Sequence, residues 1–181
     1  MEDALILQKF AVPETREEAF TLVLKKYQQK IYWHIRRMVI DHDDADDIVQ
    51  EVFIKVGKNL DGFREAAQLY PWLYRIATNE CITFLNNKKQ RHQVSLEDEN
   101  SAYLADTLSD SSHFDANKAQ RKLQEAILLL PDKQRLVFNM KYFEDLKYDE
   151  ISEIVGTSVG ALKASYHLAV KKIEQYFKDT D

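Results

Sequence analysis

The sequence predicts an all-α fold made of two small helical domains joined by an acidic linker. Only four Gly and three Pro occur in 181 residues, too few for the many tight turns of a β-sandwich or barrel. Leu, Glu, Lys, Gln and Ala, which favour helices, are abundant. Apolar residues recur at helical spacing on both sides of a polar stretch. The predicted units are residues 1–91, the linker 92–116 and residues 117–181.

The charge distribution agrees with this division. The net charge of the whole chain is −5, yet residues 92–116 alone hold six acidic and no basic residues. Residues 1–91 have 14 basic and 14 acidic residues, and residues 117–181 have 11 and 10. Each domain is therefore near neutral. A local basic stripe on either one could still bind DNA, because attraction to phosphate acts over about 8–10 Å at physiological salt.

Three helices are predicted in the first domain. Apolar periodicity over residues 15–40 indicates a long amphipathic helix. The acidic residues 41–44 indicate a turn and a second helix, over about residues 45–57, because carboxylates cap free amides and interact with the positive end of the helix dipole. Pro71 suits the first turn of a third helix, over about residues 72–89.

Four helices are predicted in the second domain. Residues 92–116 lack sustained periodicity and are rich in Ser, Asp, Glu and Asn, so we expect a tether that allows many relative orientations of the domains. Periodicity returns at residue 119, and Leu130-Pro131-Asp132 ends one helix and starts the next. The last two helices, 148–155 and 158–177, are separated only by Gly156-Thr157, which is typical of a helix-turn-helix.

The last helix is the candidate for reading duplex DNA. Spacings of three and four residues predict its inward positions, which are Val159, Leu162, Tyr166, Ala169 or Val170, and Ile173. Gly156 can adopt the left-handed conformation of the turn at low steric cost. A helix in the major groove points its N-terminal side chains at base edges, while serines and lysines bind phosphates. The candidates for base edges are Lys163, Ala164 and His167, and those for the DNA backbone are Ser158, Lys171 and Lys172. An ordinary helical hairpin with a solvated lysine face has the same spacing.

A second candidate site surrounds the start of the third helix. Aromatic faces stack on bases, arginine binds phosphate and an amide can read a base edge, so this combination suits an unpaired strand. The candidates are Phe63, Arg64, Trp72, Arg75, Asn79 and Lys88. The alternative is that Trp72, Leu73 and Ile76 fill a core and Asn79 is a surface residue.

No catalytic or metal-binding pattern is found in the sequence. Cys81 is the single cysteine, which excludes an intramolecular disulfide. The acidic residues 41–47 do not fit a calcium loop, because Asp46 stands where the loop requires glycine. No Gly-rich phosphate loop or Ser-His-Asp pattern occurs. We therefore expect a protein without enzymatic activity, cofactor or metal. Since no apolar run approaches about 18 residues, we also expect a cytoplasmic protein without membrane insertion.

The motifs, taken in order, resemble a known family. Three motifs of the first domain resemble region two of the extracytoplasmic-function (ECF) sigma factors of the sigma-70 family. They are, in order, Asp44-Ala-Asp-Asp-Ile-Val-Gln-Glu-Val-Phe-Ile-Lys-Val, Phe63-Arg64 and Trp72-Leu-Tyr-Arg-Ile-Ala-Thr-Asn. Leu130-Pro-Asp-Lys-Gln-Arg-Leu-Val-Phe and the helix-turn-helix resemble region four. The resemblance covers residues 18–177. In place of two arginines common in the family, the last helix has Ser165 and Leu168.

The resemblance implies a transcription initiation factor that binds core RNA polymerase and directs promoter recognition and DNA melting. By the same resemblance, Asp47, Gln50 and Glu51 dock on the clamp coiled coil of the largest polymerase subunit. The flap of the second subunit is a further expected contact. Promoter DNA and an anti-sigma factor are the other partners that it implies.

The resemblance also implies how each DNA element is recognised. Asn79, with Phe63 and Trp72 nearby, matches the pocket for a flipped base of the minus-ten non-template strand. The last helix matches the reader of the duplex minus-thirty-five element. Two other classes of function remain open from the residues alone. One is a stand-alone helix-turn-helix regulator that binds DNA as a dimer, for which no heptad seam is found. The other is a helical adaptor that binds only proteins.

Overall fold

The structure, a computed structural model, describes residues 3–59, 63, 68–91 and 117–180. Within these ranges every regular element is helical, so the all-α prediction is confirmed. The elements are α1 (Asp3–Ala11), a 3-10 turn (Pro13–Thr15), α2 (Arg16–Val39), α3 (His42–Asn59), α4 (Leu69–Arg91), α5 (Lys118–Leu128), α6 (Asp132–Tyr142), α7 (Tyr148–Val155) and α8 (Val159–Asp179).

The N-terminal helix α1 is an element that the sequence analysis did not predict. Ile6 and Phe10, one helical turn apart, are buried against α2. Asp3 accepts hydrogen bonds from the Tyr27 hydroxyl at 2.8 Å and from Lys26 Nζ at 2.6 Å. The spacing of Ile6 and Phe10 was the available signal, but two apolar positions are too few to define a periodicity.

The three predicted helices of the first domain are confirmed, and α3 and α4 each begin three residues before the predicted start. Helix α3 begins at His42. The reason is the cap: Asp41 Oδ1 accepts a hydrogen bond from the backbone amide of Asp44 at 2.9 Å, so the next acidic residues lie inside the first turn. Helix α4 begins at Leu69, and Pro71 lies in its first turn as predicted.

The four predicted helices of the second domain are also confirmed. Asn117 caps α5 by accepting a hydrogen bond from the amide of Gln120 at 3.0 Å. Gly156 ends α7 with a φ of 70°, in the predicted left-handed conformation. Ser158 then caps α8, where its Oγ accepts a hydrogen bond from the amide of Ala161 at 3.3 Å. This arrangement is the helix-turn-helix.

The two halves of the molecule, residues 3–91 and 117–180, pack against each other. Helices α2, α3 and α4 enclose the larger core, and α6 and α7 extend it from the second half. The contributions of the second half include Leu136, Met140, Ile151 and Ile154. A smaller core lies among α5, α6 and α8. The sequence predicted a tether with many possible orientations, and it did not predict this interface.

Some of the predicted features lie on residues that the structure does not describe. These are the linker 92–116, Arg64 and most of the loop before α4. Within the described ranges, no helix combines the length and the apolar character needed to span a membrane.

Candidate nucleic-acid interface

One side of α4 forms a narrow accessible stripe. Its members follow a spacing of three and four residues, which places them on one side of a helix, and they are Trp72, Arg75, Ile76 and Asn79. The neighbouring positions are buried in the core and fix the rotation of the helix: Leu73, Tyr74, Ala77, Thr78 and Cys81. We call this set the α4 stripe.

An aromatic pair lies at the N-terminal end of the α4 stripe. The rings of Phe63 and Trp72 are 5.0 Å apart in an edge-to-face arrangement, and both side chains are half-buried. Asn79 is exposed, seven residues and thus about 10 Å further along the helix. The structure therefore brings an aromatic platform and a free amide to the same side of α4, as the sequence predicted.

Two of the predicted cations near α4 are already engaged. Arg75 Nη2 donates a hydrogen bond to the backbone carbonyl of Glu153 in α7. Lys88 Nζ lies 2.8 Å from Asp44 Oδ2. Lys88 is nine residues beyond Asn79, about two and a half turns, and so faces the opposite side of the helix. The structure keeps Arg75 on the α4 stripe but does not place Lys88 there.

The accessible side of α8 is the second surface. Of the residues predicted to face inward, Leu162, Ala169 and Ile173 are buried. The others, Val159, Tyr166 and Val170, are half-buried. The predicted DNA-facing residues Lys163, Ala164, His167 and Lys171 are all exposed. Lys163 Nζ lies 5.8 Å from the centre of the Tyr148 ring, which holds its charge near the start of the helix-turn-helix. We call these four residues the α8 face.

Lys172 lies apart from the α8 face. It lines a shallow depression with Leu129 and Leu130, at the junction of α5 and α6. Ser158 remains at the N-terminus of α8, although its hydroxyl oxygen already accepts a hydrogen bond from the helix. Lys171 is therefore better placed than Lys172 to bind the phosphates of a strand that contacts the α8 face.

The accessible side of α3 forms a third surface. Asp47, Gln50 and Glu51 are exposed, while the buried positions of α3, such as Ile48 and Val52, belong to the core with α2 and α4. Ile54, one turn further, has 48% of its surface exposed. Among the described residues, neither Asp47 nor Glu51 forms a salt bridge. The surface is therefore acidic with one apolar residue, and its charges are available to a partner.

Burial governs the protonation of the groups behind the α4 stripe. It raises the pKa of the Cys81 thiol to about 12, so this thiol is neutral at physiological pH and unsuited to act as a nucleophile. Burial, together with the nearby charge of Glu144, raises the pKa of Tyr74 as well. Tyr74 therefore remains a neutral phenol beside an acidic residue of the second half.

A set of buried polar residues lies between the two halves and was not predicted from the sequence. Lys89 Nζ lies 2.7 Å from Asp132 Oδ2, and Arg135 Nη2 donates a hydrogen bond to the carbonyl of Met38 at 3.4 Å. His34 Nδ1 contacts Glu144 Oε1 at 2.9 Å. The signal for His34 was its position on the inward side of α2, where a polar side chain requires a buried partner.

Known families and proteins resemble the chain over most of its length. The family models Sigma-70 region 2 and Sigma-70, region 4 match residues 23–91 and 120–173. The ECF RNA polymerase sigma factor SigW of Bacillus subtilis (strain 168) is 32% identical over 170 residues, which cover 90% of this chain and 91% of SigW. The ECF RNA polymerase sigma-E factor of Escherichia coli (strain K12) is 29% identical over 181 residues, with coverages of 96% and 93%.

Two solved structures share the fold. The sigma factor RpoE, in complex with the anti-sigma factor NepR from Bartonella quintana, gives a TM-score of 0.66 at 18% identity, covering 88% of this chain and 96% of RpoE. CnrH, in complex with the cytosolic domain of CnrY, gives a TM-score of 0.69 at 17% identity, and the match covers 98% of this chain and 97% of CnrH.

Proposed function

Since this chain belongs to the ECF subfamily of the sigma-70 factors, we propose that its three accessible surfaces divide the work of transcription initiation. The chain is an RNA polymerase sigma factor that directs transcription initiation. The observation that carries the proposal is that one fold presents an acidic docking helix, the α4 stripe and the α8 face separately. We also propose that the chain has no enzymatic activity and acts in the cytoplasm, with RNA polymerase.

The acidic side of α3 is the proposed docking site for core polymerase. Asp47, Gln50 and Glu51 would contact the clamp coiled coil of the largest subunit. Support comes from their exposure and from Ile54, which would be buried in such a contact. Apolar burial then supplies affinity, while the carboxylates contribute specificity and the rate of association. The flap of the second subunit is the proposed contact of residues 117–181.

The α4 stripe is the proposed site for the minus-ten strand. Trp72 and Phe63 would stack on bases, Asn79 would read the edge of a flipped base, and Arg75 would bind phosphate once it is released from Glu153. Arg64 belongs to the same proposal, whereas Lys88, which pairs with Asp44 on the opposite side of α4, does not. Base stacking on aromatic side chains contributes about 1–3 kcal/mol per base.

The α8 face is the proposed reader of the minus-thirty-five element, with Lys163, Ala164 and His167 on base edges and Lys171 on the backbone. Ser158 and Lys172 remain proposed backbone contacts at its margins. Residues 1–91 and 117–181 would then act as two DNA-binding units joined by residues 92–116. An anti-sigma factor is a further proposed partner, because RpoE was solved in complex with the anti-sigma factor NepR.

The decisive experiment combines the purified chain with core RNA polymerase and sequences the 5′ ends of the transcripts. We expect defined start sites downstream of a shared bipartite motif. Core polymerase alone is the control. Transcripts that start at the same positions with and without the chain would contradict the proposal. Binding of the free chain, as a dimer, to duplexes with two half-sites would instead favour a stand-alone regulator.

Substitutions on the α8 face should separate base reading from backbone contact. Lys163→Ala or His167→Ala should relax the preference at one or two upstream positions, at a cost of ~1–3 kcal/mol each. Lys171→Ala should weaken binding to all sequences about equally and reduce the salt slope by about 1. Competition among duplexes randomised in the upstream element, with the holoenzyme, measures both effects. A uniform loss for all three variants would mean that α8 contacts only the backbone.

A further inference from the structure

A carboxylate of the second half is inserted into a polar pocket of the first half. Glu144, in the turn between α6 and α7, accepts a hydrogen bond from His34 Nδ1 at 2.9 Å. The same oxygen lies 3.8 Å from Arg37 Nη1. The side chain of His34 is 0% exposed and that of Glu144 is 9% exposed. This contact is therefore a buried interaction between the halves.

The first half supplies the hydrogen-bond donors of this pocket. His34 Nε2 is 3.0 Å from the hydroxyl of Thr78 in α4, and the His34 ring lies 5.0 Å from the Tyr74 ring. These contacts fix the imidazole so that Nδ1 points toward the second half. Arg37, one turn further along α2, packs its guanidinium 6.0 Å from the Trp33 ring of the first half and 4.8 Å from the Phe143 ring of the second half. If the second half moved away, the imidazole would keep its contacts, and the Arg37 guanidinium would keep the Trp33 ring but lose the Phe143 ring.

The second half presents Glu144 on a closed turn. The amide of Phe143 donates to the carbonyl of Asn139 at 3.0 Å, and the amide of Leu146 donates to that of Met140 at 3.1 Å. Asp145 adopts a φ of 50°. Glu144 Oε2 is nevertheless buried without a hydrogen bond among the described residues. The carboxylate therefore fills the pocket but uses only one of its oxygens.

The pocket lies beside the α4 stripe. Tyr74 and Thr78, which line it, each precede a member of the stripe, Arg75 and Asn79, by one residue. Arg75 is held by the carbonyl of Glu153. The second half thus places Glu144 in the pocket and the Glu153 carbonyl on Arg75, which is the only arginine of the stripe among the described residues. A strand bound along the α4 stripe would carry its phosphates to the same flank.

We propose that the pocket formed by His34, Arg37 and Thr78 is a phosphate-binding site for the backbone of single-stranded DNA, and that Glu144 occupies it in the closed chain as an internal competitor. This proposal rests on the assignment of the α4 stripe to the minus-ten strand. A phosphodiester, like the carboxylate, accepts hydrogen bonds from an imidazole N–H and a guanidinium, and such charge-assisted bonds are the strong ones. DNA and the second half therefore compete for the first half.

The competition predicts a measurable gain when Glu144 loses its charge. If only a small fraction of the chain is open, the apparent Kd of the strand is its intrinsic Kd divided by that fraction. Glu144→Gln keeps the shape but removes the charge facing Arg37, so the open fraction should rise. We expect tenfold tighter binding, or more, of a labelled short oligothymidylate strand, measured by fluorescence anisotropy. Oligothymidylate is suitable because a phosphate contact does not depend on sequence.

Asp145→Asn is the matched control for Glu144→Gln. It removes the same charge from the same turn, but the Asp145 side chain is 98% exposed, and asparagine also tolerates a positive φ. We expect no more than a twofold change for this variant. Equal gains for the two variants would overturn the proposal, because the effect would then be one of net charge alone. No detectable binding by any variant would overturn it as well.

Arg37→Gln tests whether Arg37 binds a DNA phosphate or only holds the two halves together through Glu144. This variant also weakens the contact with Glu144, but it removes the proposed phosphate donor. In the double variant Glu144→Gln/Arg37→Gln, the tighter DNA binding seen with Glu144→Gln alone should be lost. The slope of log K against log salt should also fall by about 0.7, the value for one phosphate contact on a single strand. A gain in the Arg37→Gln single variant as large as that of Glu144→Gln would overturn the phosphate site.

Opening and folding are measured independently of DNA. The radius of gyration from X-ray scattering should increase for Glu144→Gln and remain unchanged for Asp145→Asn, while circular dichroism reports whether each variant is helical. An unchanged radius in a folded Glu144→Gln variant would contradict the role of Glu144. Failure of the assigned function is distinguishable, since it would appear as wild-type protein that directs no start sites with core polymerase, whatever the variants do.

Discussion

Replacement of Glu51 by Lys will weaken binding to core RNA polymerase roughly 30-fold to a few thousand-fold, equivalent to ~2–5 kcal/mol. The reason is that Glu51 is exposed on the accessible side of α3 beside Asp47 and Gln50. A cation there would face the partner groups that the carboxylate is proposed to satisfy. The partner's charge would be left buried and unpaired, which is the costly part of such a loss.

The measurement for Glu51→Lys is a titration of core polymerase with labelled chain at moderate salt. Asp47→Lys, one turn away, should give a defect of the same kind. Glu17→Lys is the control, because it makes the same charge change at an exposed carboxylate in the first turn of α2, away from the three proposed surfaces. The thermal unfolding midpoint of Glu51→Lys should remain close to wild type. Unchanged affinity of both α3 variants would remove α3 as the docking helix.

Asn79→Ala should impair promoter opening much more than core binding, by ~1–3 kcal/mol on a fully paired promoter. The exposed amide offers a donor and an acceptor to one base edge, on the same side of α4 as the Phe63 and Trp72 rings. Extruding a base costs a few kcal/mol of stacking and pairing, which the contacts of the pocket must offset. Without the amide, that compensation is incomplete.

A template that is mismatched over the minus-ten region tests this cause directly. Since the unpairing cost has been removed in advance, Asn79→Ala should be partly rescued on that template. Asn87→Ala provides a control with the same chemistry, because Asn87 is exposed on the same helix two turns further along. Transcription from paired and mismatched templates, beside a core-binding assay, gives the comparison. Equal activity of Asn79→Ala and wild type on the paired promoter would identify Asn79 as a plain surface residue.

The sequence by itself determined the helices α2 to α8 and the inward side of α8. Leu162, Ala169 and Ile173 of α8 were predicted to face inward, and they are buried. Gly156 was predicted to form the turn, and it has the left-handed conformation. These features are local, because a periodicity of 3.6 residues and the conformational freedom of glycine act over one or two helical turns. The resemblance to the family followed from the same local motifs.

Only the tertiary structure decided which polar groups meet. His34 and Glu144 are 110 residues apart in sequence, and no periodicity relates them. Their pairing, like that of Arg75 with Glu153, depends on how the second half packs on the first. The shifted start of α3 had a local cause that periodicity could not resolve, the cap formed by Asp41. Because burial without a partner is costly for polar groups, these side chains are paired where the two halves meet. The partner of each one comes from a distant segment, which only the packing of the whole chain brings close.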